Sequence, residues 1–416
     1  MKNSFYEQTN TTTLPAETTS PAKTARLLLR LLKAAQPVSR IELARRAGVN
    51  RSTVTDTFKP LINAKLVREE SLESVARQQG RPPIGLVFNN DDEIFAGVSL
   101  GVRLSQVGLT TLSGQSLGEA EFETPQNAED ALSLLRTNLS KLLTPFPERR
   151  LKVVGVSVPG VIDETRRKLL YAPHLDWRDV DISDSLQNIK TENNLSEDIK
   201  VVVENDATAA AVYESRLRLQ KTNETALQDF VLIRSGTGIG VGLVKGGEVY
   251  RGSGKGRGIA GEFGHMTIVA GGKSCICGNR GCWERYAAAA AASQLYTGDR
   301  MQLGAMKPPR FVEIVALAEA GEIRAQRTLE KLGEYLGIGI ANVIIGLGVP
   351  HIILSGRIVY GWKFLKESVK KAVEQSIAGK LSNWSIEAGE PRGGGLGGAL
   401  EIAAEEFLDF GFNHVI

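Results

Sequence analysis

The chain has 416 residues, of which 42% are hydrophobic and 23% are charged. This composition is ordinary for a globular protein, and it excludes a wholly disordered chain, a collagen-like fibre and a disulfide-stabilised miniprotein. The net charge of +3 is unevenly distributed, because residues 1–90 carry 14 Lys and Arg against 7 Asp and Glu, while the remainder is net negative. A basic segment on a mildly acidic body predicts a small nucleic-acid-binding module attached to a larger domain.

The sequence carries no pattern of a membrane span or a secretion signal. No stretch approaches the ~18 consecutive apolar residues that a transmembrane helix needs. The first ten residues, MKNSFYEQTN, have no apolar core. We therefore expect a cytoplasmic protein with no membrane partner. Residues 1–22 are predicted to form a disordered tail, since they are rich in Thr and contain little that can pack.

Residues 23–90 have the pattern of a winged helix-turn-helix. Leu residues at helical spacing predict a first helix. Ser39 and Glu42 have the spacing of a capping box for a short second helix, and Asn50 can cap a third. Two short helices joined through Ala-Gly-Val, followed by two strands, are typical of this DNA-binding fold. Pro60 is expected to kink or shorten the third helix.

The third helix is expected to enter the major groove of double-stranded operator DNA. Ser and Thr in such a helix can reach phosphates or base edges, and Arg and Lys neutralise phosphates. A loop between the two strands gives the wing a basic tip. The alternative is a three-helix scaffold that docks another protein, which the excess of positive charge disfavours. The predicted DNA contacts are Arg51, Ser52, Thr53, Thr55 and Lys59 of the helix and Arg81 of the wing.

From about Glu93 the sequence consists of strand, turn and helix units separated by Gly-rich junctions, which is typical of an α/β fold. The predicted strands are Ile94–Leu100, Gln106–Thr111, Val153–Val158, Val201–Val203, Phe230–Arg234 and Ile352–Leu354. The predicted helices are Glu129–Leu142, Ala207–Arg218, Phe311–Ala320, Arg324–Ile345 and Leu396–Leu408.

All three cysteines of the chain lie in one short segment, at Cys275, Cys277 and Cys282, and His265 precedes them. One imidazole and three thiolates supply the four ligands of a tetrahedral structural zinc site. With four ligands in place, no coordination position remains open for metal catalysis. The alternative is a set of three reduced cysteines that hold no metal.

Two further segments have candidate roles in ligand binding. Asn205 and Asp206 end an apolar strand and precede an Ala-rich helix. Asp206 either caps that helix or stands at a strand end where α/β proteins bind ligands, and there it can accept a proton from a sugar hydroxyl. The Gly-rich segment 235–242 either presents backbone N–H groups to a phosphate or forms a tight hairpin.

These motifs follow one another in a characteristic order. From the N-terminus they are the helix-turn-helix, Gly80-Arg-Pro-Pro, Val158-Pro-Gly160, Glu204-Asn-Asp206, Gly236-Thr-Gly-Ile-Gly240, Gly261-Glu-Phe-Gly-His265 and Cys275-Xaa-Cys-Gly-Xaa-Xaa-Gly-Cys-Xaa-Glu284. Over about residues 23–410 the chain thereby resembles the ROK family of sugar kinases and sugar-responsive transcriptional repressors, and the N-terminal module places it on the repressor branch.

The resemblance implies a multidomain chain in which the winged helix-turn-helix is followed by a two-lobed α/β domain of the actin and hexokinase type (ribonuclease H-like). Residues 91–205 would form the first lobe, completed by 391–416, and residues 206–390 the second lobe with the zinc loop. A sugar or sugar derivative would bind between the lobes. The residues that match the family's sugar site are Asn205, Asp206, Glu262, His265 and Glu284. Asp206 would be the catalytic base if kinase activity survives.

The nucleotide side departs from the kinase pattern. Kinase members carry Asp-Xaa-Gly-Gly-Thr where this chain has Ser99-Leu-Gly-Val-Arg103, and Ser cannot supply the charge that organises Mg²⁺. The remnant of the nucleotide loops is Gly101, Gly236, Thr237 and Gly238. We therefore expect no bound ATP or Mg²⁺, and a homodimer or higher homo-oligomer that represses a palindromic operator until a sugar binds. The alternative is an ATP-dependent sugar kinase with an accessory DNA-binding domain.

Overall fold

The structure is a computed structural model that describes residues 21–72, 84–89, 92–187, 189, 199–221, 228–253, 259–298 and 308–412. Most of the predicted N-terminal tail and the predicted wing contact Arg81 lie outside the described residues.

The N-terminal module has the order of elements that the sequence predicts for a winged helix-turn-helix. It consists of α1 (Pro21–Ala35), β1 (Val38–Ser39), α2 (Arg40–Ala47), α3 (Arg51–Asn63), β2 (Val67–Ser71) and β3 (Ile84–Phe88). The three short strands form an antiparallel sheet in the order β1-β3-β2, with β2 and β3 as the wing. Val54, Phe58 and Leu61, spaced by four and three residues, are buried on one face of α3.

Local details of this module differ from the expectation. Ser39 Oγ accepts the N–H of Glu42 at 3.2 Å, but the Glu42 carboxylate binds Arg45 and Arg46, so only half of the capping box forms. Asn50 occupies the N-cap position of α3 without a side-chain hydrogen bond. Pro60 lies inside α3, which continues for one further turn to Asn63, so Pro60 does not end the helix.

The first lobe is built on a five-stranded sheet in the order β11-β7-β4-β5-β6. Strand β7 pairs parallel with β11 and β4, and β5 pairs antiparallel with β4 and β6. Its strands are β4 (Glu93–Ser99), β5 (Leu104–Thr110), β6 (Ser116–Glu123), β7 (Arg150–Val158) and β11 (Lys200–Asn205). Helices α4 (Ala128–Leu143) and α5 (Ile182–Gln187) and a small sheet of β8 (Val161–Ile162), β9 (Lys168–Ala172) and β10 (Trp177–Asp181) complete it.

The second lobe repeats the same strand order, β14-β13-β12-β15-β16. Its strands are β12 (Phe230–Ser235), β13 (Ile239–Lys245), β14 (Glu248–Tyr250), β15 (His351–Ser355) and β16 (Ser385–Ala388). Its helices are α7 (Glu284–Ala287), α8 (Ala291–Thr297), α9 (Phe311–Glu319), α10 (Ile323–Leu347), α11 (Trp362–Glu374) and α12 (Ile377–Leu381). Two sheets with one topology confirm the predicted two-lobed fold.

Two helices lie between the sheets. The helix α6 (Asp206–Lys221) packs against β12 and β13 of the second sheet, and α13 (Leu396–Phe412) packs against β4 and β7 of the first sheet and against α6. Helix α1 packs on both of them, so the apolar core of the N-terminal module is continuous with that of the lobes. Among the described residues, no helix has the length and hydrophobicity needed to cross a membrane.

Candidate functional site

Asn205 and Asp206 lie where β11 ends and α6 begins, at the edge where parallel strands present their carboxyl ends. The Asn205 side chain caps α6, because its Oδ1 accepts the N–H groups of Ala207 at 2.9 Å and Thr208 at 3.3 Å. Its Nδ2 donates to the carbonyl of Gly160 at 3.0 Å. The cap role considered for Asp206 therefore belongs to Asn205, and the Asp206 carboxylate points elsewhere.

The Gly-rich segment after β12 is a hairpin turn. β12 and β13 pair antiparallel from Ser235 and Ile239 onward, and the N–H of Gly236 binds the carbonyl of Gly238 at 3.0 Å. The N–H of Gly236 is thus used within the turn rather than aimed at a ligand. The hairpin alternative for segment 235–242 accounts for its glycines.

Two glycines of β13 bring this strand against the start of α6. A Cβ on Gly240 would lie 2.7 Å from Cβ of Ala207 and 3.8 Å from Oδ1 of Asp206. A Cβ on Gly242 would lie 2.6 Å from that of Ala211. Because larger residues would clash here, the glycines permit the close packing that places Asp206 in the cleft.

The segment Gly261-Glu-Phe-Gly-His265 lies directly on β13 as a single 3-10 turn from Glu262 to His265. A Cβ at Gly261, whose φ is +105°, would lie 2.2 Å from the carbonyl oxygen of Val241, and one at Gly264 would lie 2.0 Å from that of Ile239. These contacts exclude any larger side chain. They aim Glu262 and His265 at the same cleft as Asp206.

Three carboxylates, those of Asp206, Glu262 and Glu284, converge on the cleft. Burial, together with the negative charges of Asp206 and Glu284, raises the pKa of Glu262 to about 7. Near neutral pH, Glu262 can therefore donate as well as accept a hydrogen bond. A cluster that both donates and accepts matches the hydroxyl groups of a sugar.

The four predicted metal ligands come together. One ligand atom from each of His265, Cys275, Cys277 and Cys282 lies within 4.8 Å of the others. Sγ of Cys277 lies 3.7 Å from Sγ of Cys282, and Sγ of Cys275 lies 3.6 Å from Nδ1 of His265. A tetrahedron with metal–sulfur bonds of ~2.3 Å has edges of about 3.8 Å, so the spacing of the donors fits zinc.

The orientation of His265 links this cluster to the cleft. Its Nδ1 faces Cys275, while its Nε2 lies 3.8 Å from Oε2 of Glu262. Cys275 Sγ also donates to Oε1 of Glu284 at 3.2 Å. Burial raises the pKa of the Cys275 thiol, and the adjacent Glu284 adds to the effect, so a cation is needed to hold this sulfur as a thiolate.

His174 is a cleft residue that the list of sugar contacts derived from the sequence left out. Its Nε2 lies 3.9 Å from Oε2 of Glu284. Burial raises the pKa of Glu284, but the neighbouring His174 and the charge of His265 outweigh it and lower the pKa overall. His174 lies in the turn between β9 and β10.

Near Ser99, the end of the cleft carries an arginine, Arg234, and Ser99 itself supplies no carboxylate. Ser99 ends β4, and a Cβ on Gly101 would lie 2.3 Å from the Leu104 carbonyl oxygen, so this loop is a tight turn. Nε of Arg234 donates to Oδ2 of Asp206 at 3.3 Å. No local sequence pattern predicts Arg234 as a cleft residue, because its approach to Asp206 depends on the packing of β12 against α6.

On the N-terminal module, the exposed face of α3 is polar. Arg51, Ser52, Thr55 and Lys59 are exposed, and Thr53 is half-buried. Thr55 also donates its hydroxyl to the carbonyl of Arg51 at 3.0 Å. The helix thus presents these side chains outward while Val54, Phe58 and Leu61 hold it to the module.

Comparison with known proteins agrees with this architecture. The model of the ROK family matches residues 95–406, and the chain belongs to that family. The xylose repressor of Bacillus subtilis (strain 168) is 29% identical over 364 residues, which cover 86% of this chain and 88% of the repressor.

Two solved structures extend the comparison. A ROK family transcriptional regulator, described as a homolog of the E. coli MLC protein, is 24% identical and has a TM-score of 0.74 over 94% of this chain and 97% of its own. A ROK family glucokinase from Streptomyces griseus, in complex with glucose and AMPPNP, is 25% identical and has a TM-score of 0.62 over 74% of this chain and 99% of its own. The glucokinase likeness covers about as much of this chain as the two lobes occupy.

Proposed function

We propose that this protein is a sugar-responsive transcriptional repressor. The likeness to a xylose repressor over most of both chains supports this function. The observation that carries the proposal is the packing of α1, from the DNA-binding module, directly on α6, whose first residue is Asp206 in the cleft. A ligand bound at Asp206 therefore contacts the same helix, α6, on which the module that contacts DNA is packed.

The effector is a sugar or sugar derivative bound between the lobes. Asp206, Glu262, His265 and Glu284 supply acceptors and donors for its hydroxyl groups. Asn205 acts mainly by capping α6, and only one hydrogen of its amide group is left for a sugar after the bond to Gly160. His174 is added to this set, since it faces Glu284 across the cleft.

Zinc held by His265, Cys275, Cys277 and Cys282 stabilises the loop that carries Glu284. The spacing of the donor atoms supports this assignment. When bound, the ion supplies structural charge and no reaction chemistry, since its four ligands fill a tetrahedron. Nδ1 of His265 faces the metal ligands, so its Nε2 remains directed at the sugar.

The DNA contacts are those of α3, at Arg51, Ser52, Thr53, Thr55 and Lys59, with Arg81 in the wing. The polar exposure of α3 supports this assignment. A homodimer would place two such helices on successive major grooves of a palindromic operator, about one DNA turn apart.

Sugar phosphorylation is the second candidate function, and the retention of Asp206 in the cleft favours it. Two observations count against it. Ser99 lacks the carboxylate that organises Mg²⁺, and Arg234 binds the carboxylate of Asp206. We expect ADP release from ATP over a panel of sugars to stay at the level of the Asp206→Ala variant. Turnover that this substitution abolishes would establish the kinase.

The decisive experiment measures DNA and sugar binding in the same full-length protein. DNA ligands would be selected from a random duplex library, and sugars would be found by thermal shift, because a specific ligand stabilises the folded state by RT ln(1 + [L]/Kd). Arg51→Ala should weaken binding to all DNA sequences, since one phosphate contact is lost. The slope of the logarithm of the DNA-binding constant against the logarithm of the salt concentration should become shallower by about 1. Lys363→Ala, on α11, is the control. A chain that selects no DNA would refute the repressor.

A further inference from the structure

A cavity of about 390 Å³ lies between the two lobes, next to the residues proposed to bind the sugar. The turn after β8 and the end of β11 line it from the first lobe, and β14 with the residue that follows it lines it from the second. We call it the side cavity, and its lining includes Ile162, Arg166, Asn205, Thr208, Tyr250 and Arg251. Its volume falls in the range of roughly 300–1,000 Å³ that small-molecule sites have.

The charged groups of the side cavity are balanced among themselves. Nε of Arg251 donates to Oε2 of the buried Glu204 at 2.6 Å, and Nη2 of Arg166 lies 3.2 Å from the same oxygen. Oδ1 of Asp163 accepts two backbone N–H groups. Two arginines thus line the cavity together with three carboxylates, those of Asp163, Glu164 and Glu204. This balance disfavours an anion and suits a neutral ligand.

Hydrogen-bonding groups remain for such a ligand. Among the described residues, the Arg251 side chain bonds through Nε alone, so its two Nη groups are available. The hydroxyl of Thr208, a residue only 6% exposed on α6, has no partner within the same described part of the chain. One amide hydrogen of Asn205 is left after the bond to Gly160. Together these groups can donate to and accept from the hydroxyl groups of a sugar.

The side cavity also has an exposed aromatic ring. Tyr250, the last residue of β14, is 48% exposed, and Ile162 and Val249 add apolar surface to the lining. A pyranose ring has apolar C–H faces and a rim of hydroxyl groups. It can therefore pack one face on an aromatic ring while its hydroxyl groups bind the polar side chains around it.

We propose that the side cavity binds a second sugar ring, joined by a glycosidic bond to the ring held at Asp206. The effector class is accordingly a disaccharide or a longer saccharide. The inference rests on the proposed function, in which the first ring lies beside Asn205 and Asp206. Asn205 also lines the side cavity, so the glycosidic bond passes this residue.

A second ring in the side cavity would contact both lobes. Ile162 belongs to the first lobe and Tyr250 to the second, while Thr208 is on α6 between the two sheets. The two rings of one saccharide therefore depend on the same arrangement of the lobes. A monosaccharide in the cleft leaves the contacts of the side cavity unmade, so it should bind more weakly.

The test is calorimetric titration of the full-length protein with xylose and glucose and with the disaccharides xylobiose, cellobiose and maltose. At least one disaccharide should bind at least ten-fold more tightly than its own monosaccharide. Tyr250→Ala should raise the Kd of that disaccharide at least ten-fold and leave the Kd of the monosaccharide within two-fold. Tyr250 is exposed, so its replacement leaves the fold intact. Tyr250→Phe, which keeps the ring, is the matched control and should retain the affinity for the disaccharide. Thr208→Val, which removes a hydroxyl and keeps the shape, should raise the Kd of the disaccharide alone.

Three results would overturn the second sugar site. They are binding by none of the disaccharides, disaccharides that bind no more tightly than their monosaccharides, and a Tyr250→Ala variant that changes neither Kd or both Kd values equally. Release of DNA by a monosaccharide, together with any of these results, would leave the repressor function standing and refute this site alone. A chain that binds neither a sugar nor DNA would refute both proposals.

Discussion

The absence of a Cβ atom at Gly238 leaves room for two side chains of the cleft. This residue closes the hairpin between β12 and β13 and lies against two of the cleft side chains. A Cβ at this position would lie 2.5 Å from Oε2 of Glu284 and 3.3 Å from Nε2 of His174. The first distance is below any real Cβ contact, so Glu284 would have to move. Because Glu284 is buried between Cys275 and His174, its carboxylate has little freedom to adjust.

We predict that Gly238→Ala weakens sugar binding at least ten-fold while the protein remains folded. The added methyl group displaces the Glu284 carboxylate from the cleft, and the turn itself tolerates Ala. Gly236→Ala is the matched control in the same turn, because its Cβ would meet only Arg357 at 3.7 Å, an ordinary contact. Calorimetry with the sugar found by thermal shift measures both variants. Equal affinities of the two variants would show that Glu284 does not contact the sugar.

At the scale of elements, local patterns were predictable and contacts between distant segments were not. His265 and the three cysteines lie within one short segment, so the chemistry of their side chains alone indicates a metal site. Arg234 approaches Asp206 because β12 packs on α6, and the tertiary packing that brings Arg357 to Thr237 joins segments 120 residues apart. No local sequence pattern contains either contact.

All six predicted strands form, as β4, β5, β7, β11, β12 and β15, whereas the sequence pattern does not predict β6. The edge strand β6 is mostly polar and partly exposed, so it lacks the apolar run that marks the central strands β4 and β7. Helix α6 was found within a few residues of its bounds, since its Ala-rich sequence is helical by propensity. The sequence does not predict which residue caps this helix. The cap is Asn205, because its side-chain oxygen is directed at the first N–H groups of α6.

The zinc loop is predicted to act as one unit with the sugar site. Cys277→Ser should lose the metal, lower the melting temperature and weaken sugar binding, because His265 and Glu284 are then no longer fixed. Ser274→Ala, at an exposed position of the same loop, should keep all three properties. Elemental analysis of protein purified without chelator gives the zinc content, which we expect to be about one ion per chain. Full sugar affinity in the metal-free variant would show that the loop holds its shape unaided.

At the scale of the whole molecule, buried ion pairs attach the DNA-binding module to the lobes. Glu405 on α13 binds Arg216 of α6 and lies 3.3 Å from Arg30 of α1. Burial alone would raise the pKa of Glu405, but the charges of Arg216 and Arg30 lower it to about 2. A carboxyl whose pKa is lower in the folded state stabilises the fold above its unfolded pKa, and this contribution is lost as the pH falls toward the folded value.

We therefore predict that Glu405→Gln destabilises the protein by about 3 kcal/mol at pH 7, and that the difference from the unsubstituted protein shrinks as the pH falls below about 4.5. Denaturant titrations at pH 7, 5 and 3.5 measure this difference. Glu42→Gln is the matched control, since the pKa of Glu42 is also lowered to about 2, through Arg45 and Arg46, but on the surface of α2. A difference that is independent of pH would mean that Glu405 acts by packing and not by charge.

The same ion pairs give the module a contact with each lobe. Arg30 donates to both oxygens of Glu248 on β14, at 2.6 and 3.0 Å, and to Glu405 on α13. Strand β14 belongs to the second sheet, while α13 packs on the first. A change in the angle between the lobes must therefore alter one of the two contacts of Arg30. A sugar that closes the lobes would in this way displace α1, and with it the recognition helix α3.

Arg30→Gln should uncouple the two binding events without abolishing either. Because the residue touches neither the cleft nor the exposed face of α3, sugar affinity without DNA should stay within a few-fold, as should DNA affinity without sugar. The factor by which sugar weakens DNA binding should fall at least five-fold, which is the lower end of typical allosteric coupling. Reciprocity requires the same fall in the factor by which DNA weakens sugar binding, so calorimetry with and without DNA checks the result independently. Lys33→Gln is the control, since Lys33 on the same helix forms its ion pair with Glu401 of α13, which packs on the first sheet. If Arg30→Gln and Lys33→Gln reduce the coupling equally, the module responds to its attachment to α13, and the bridge between the lobes plays no part.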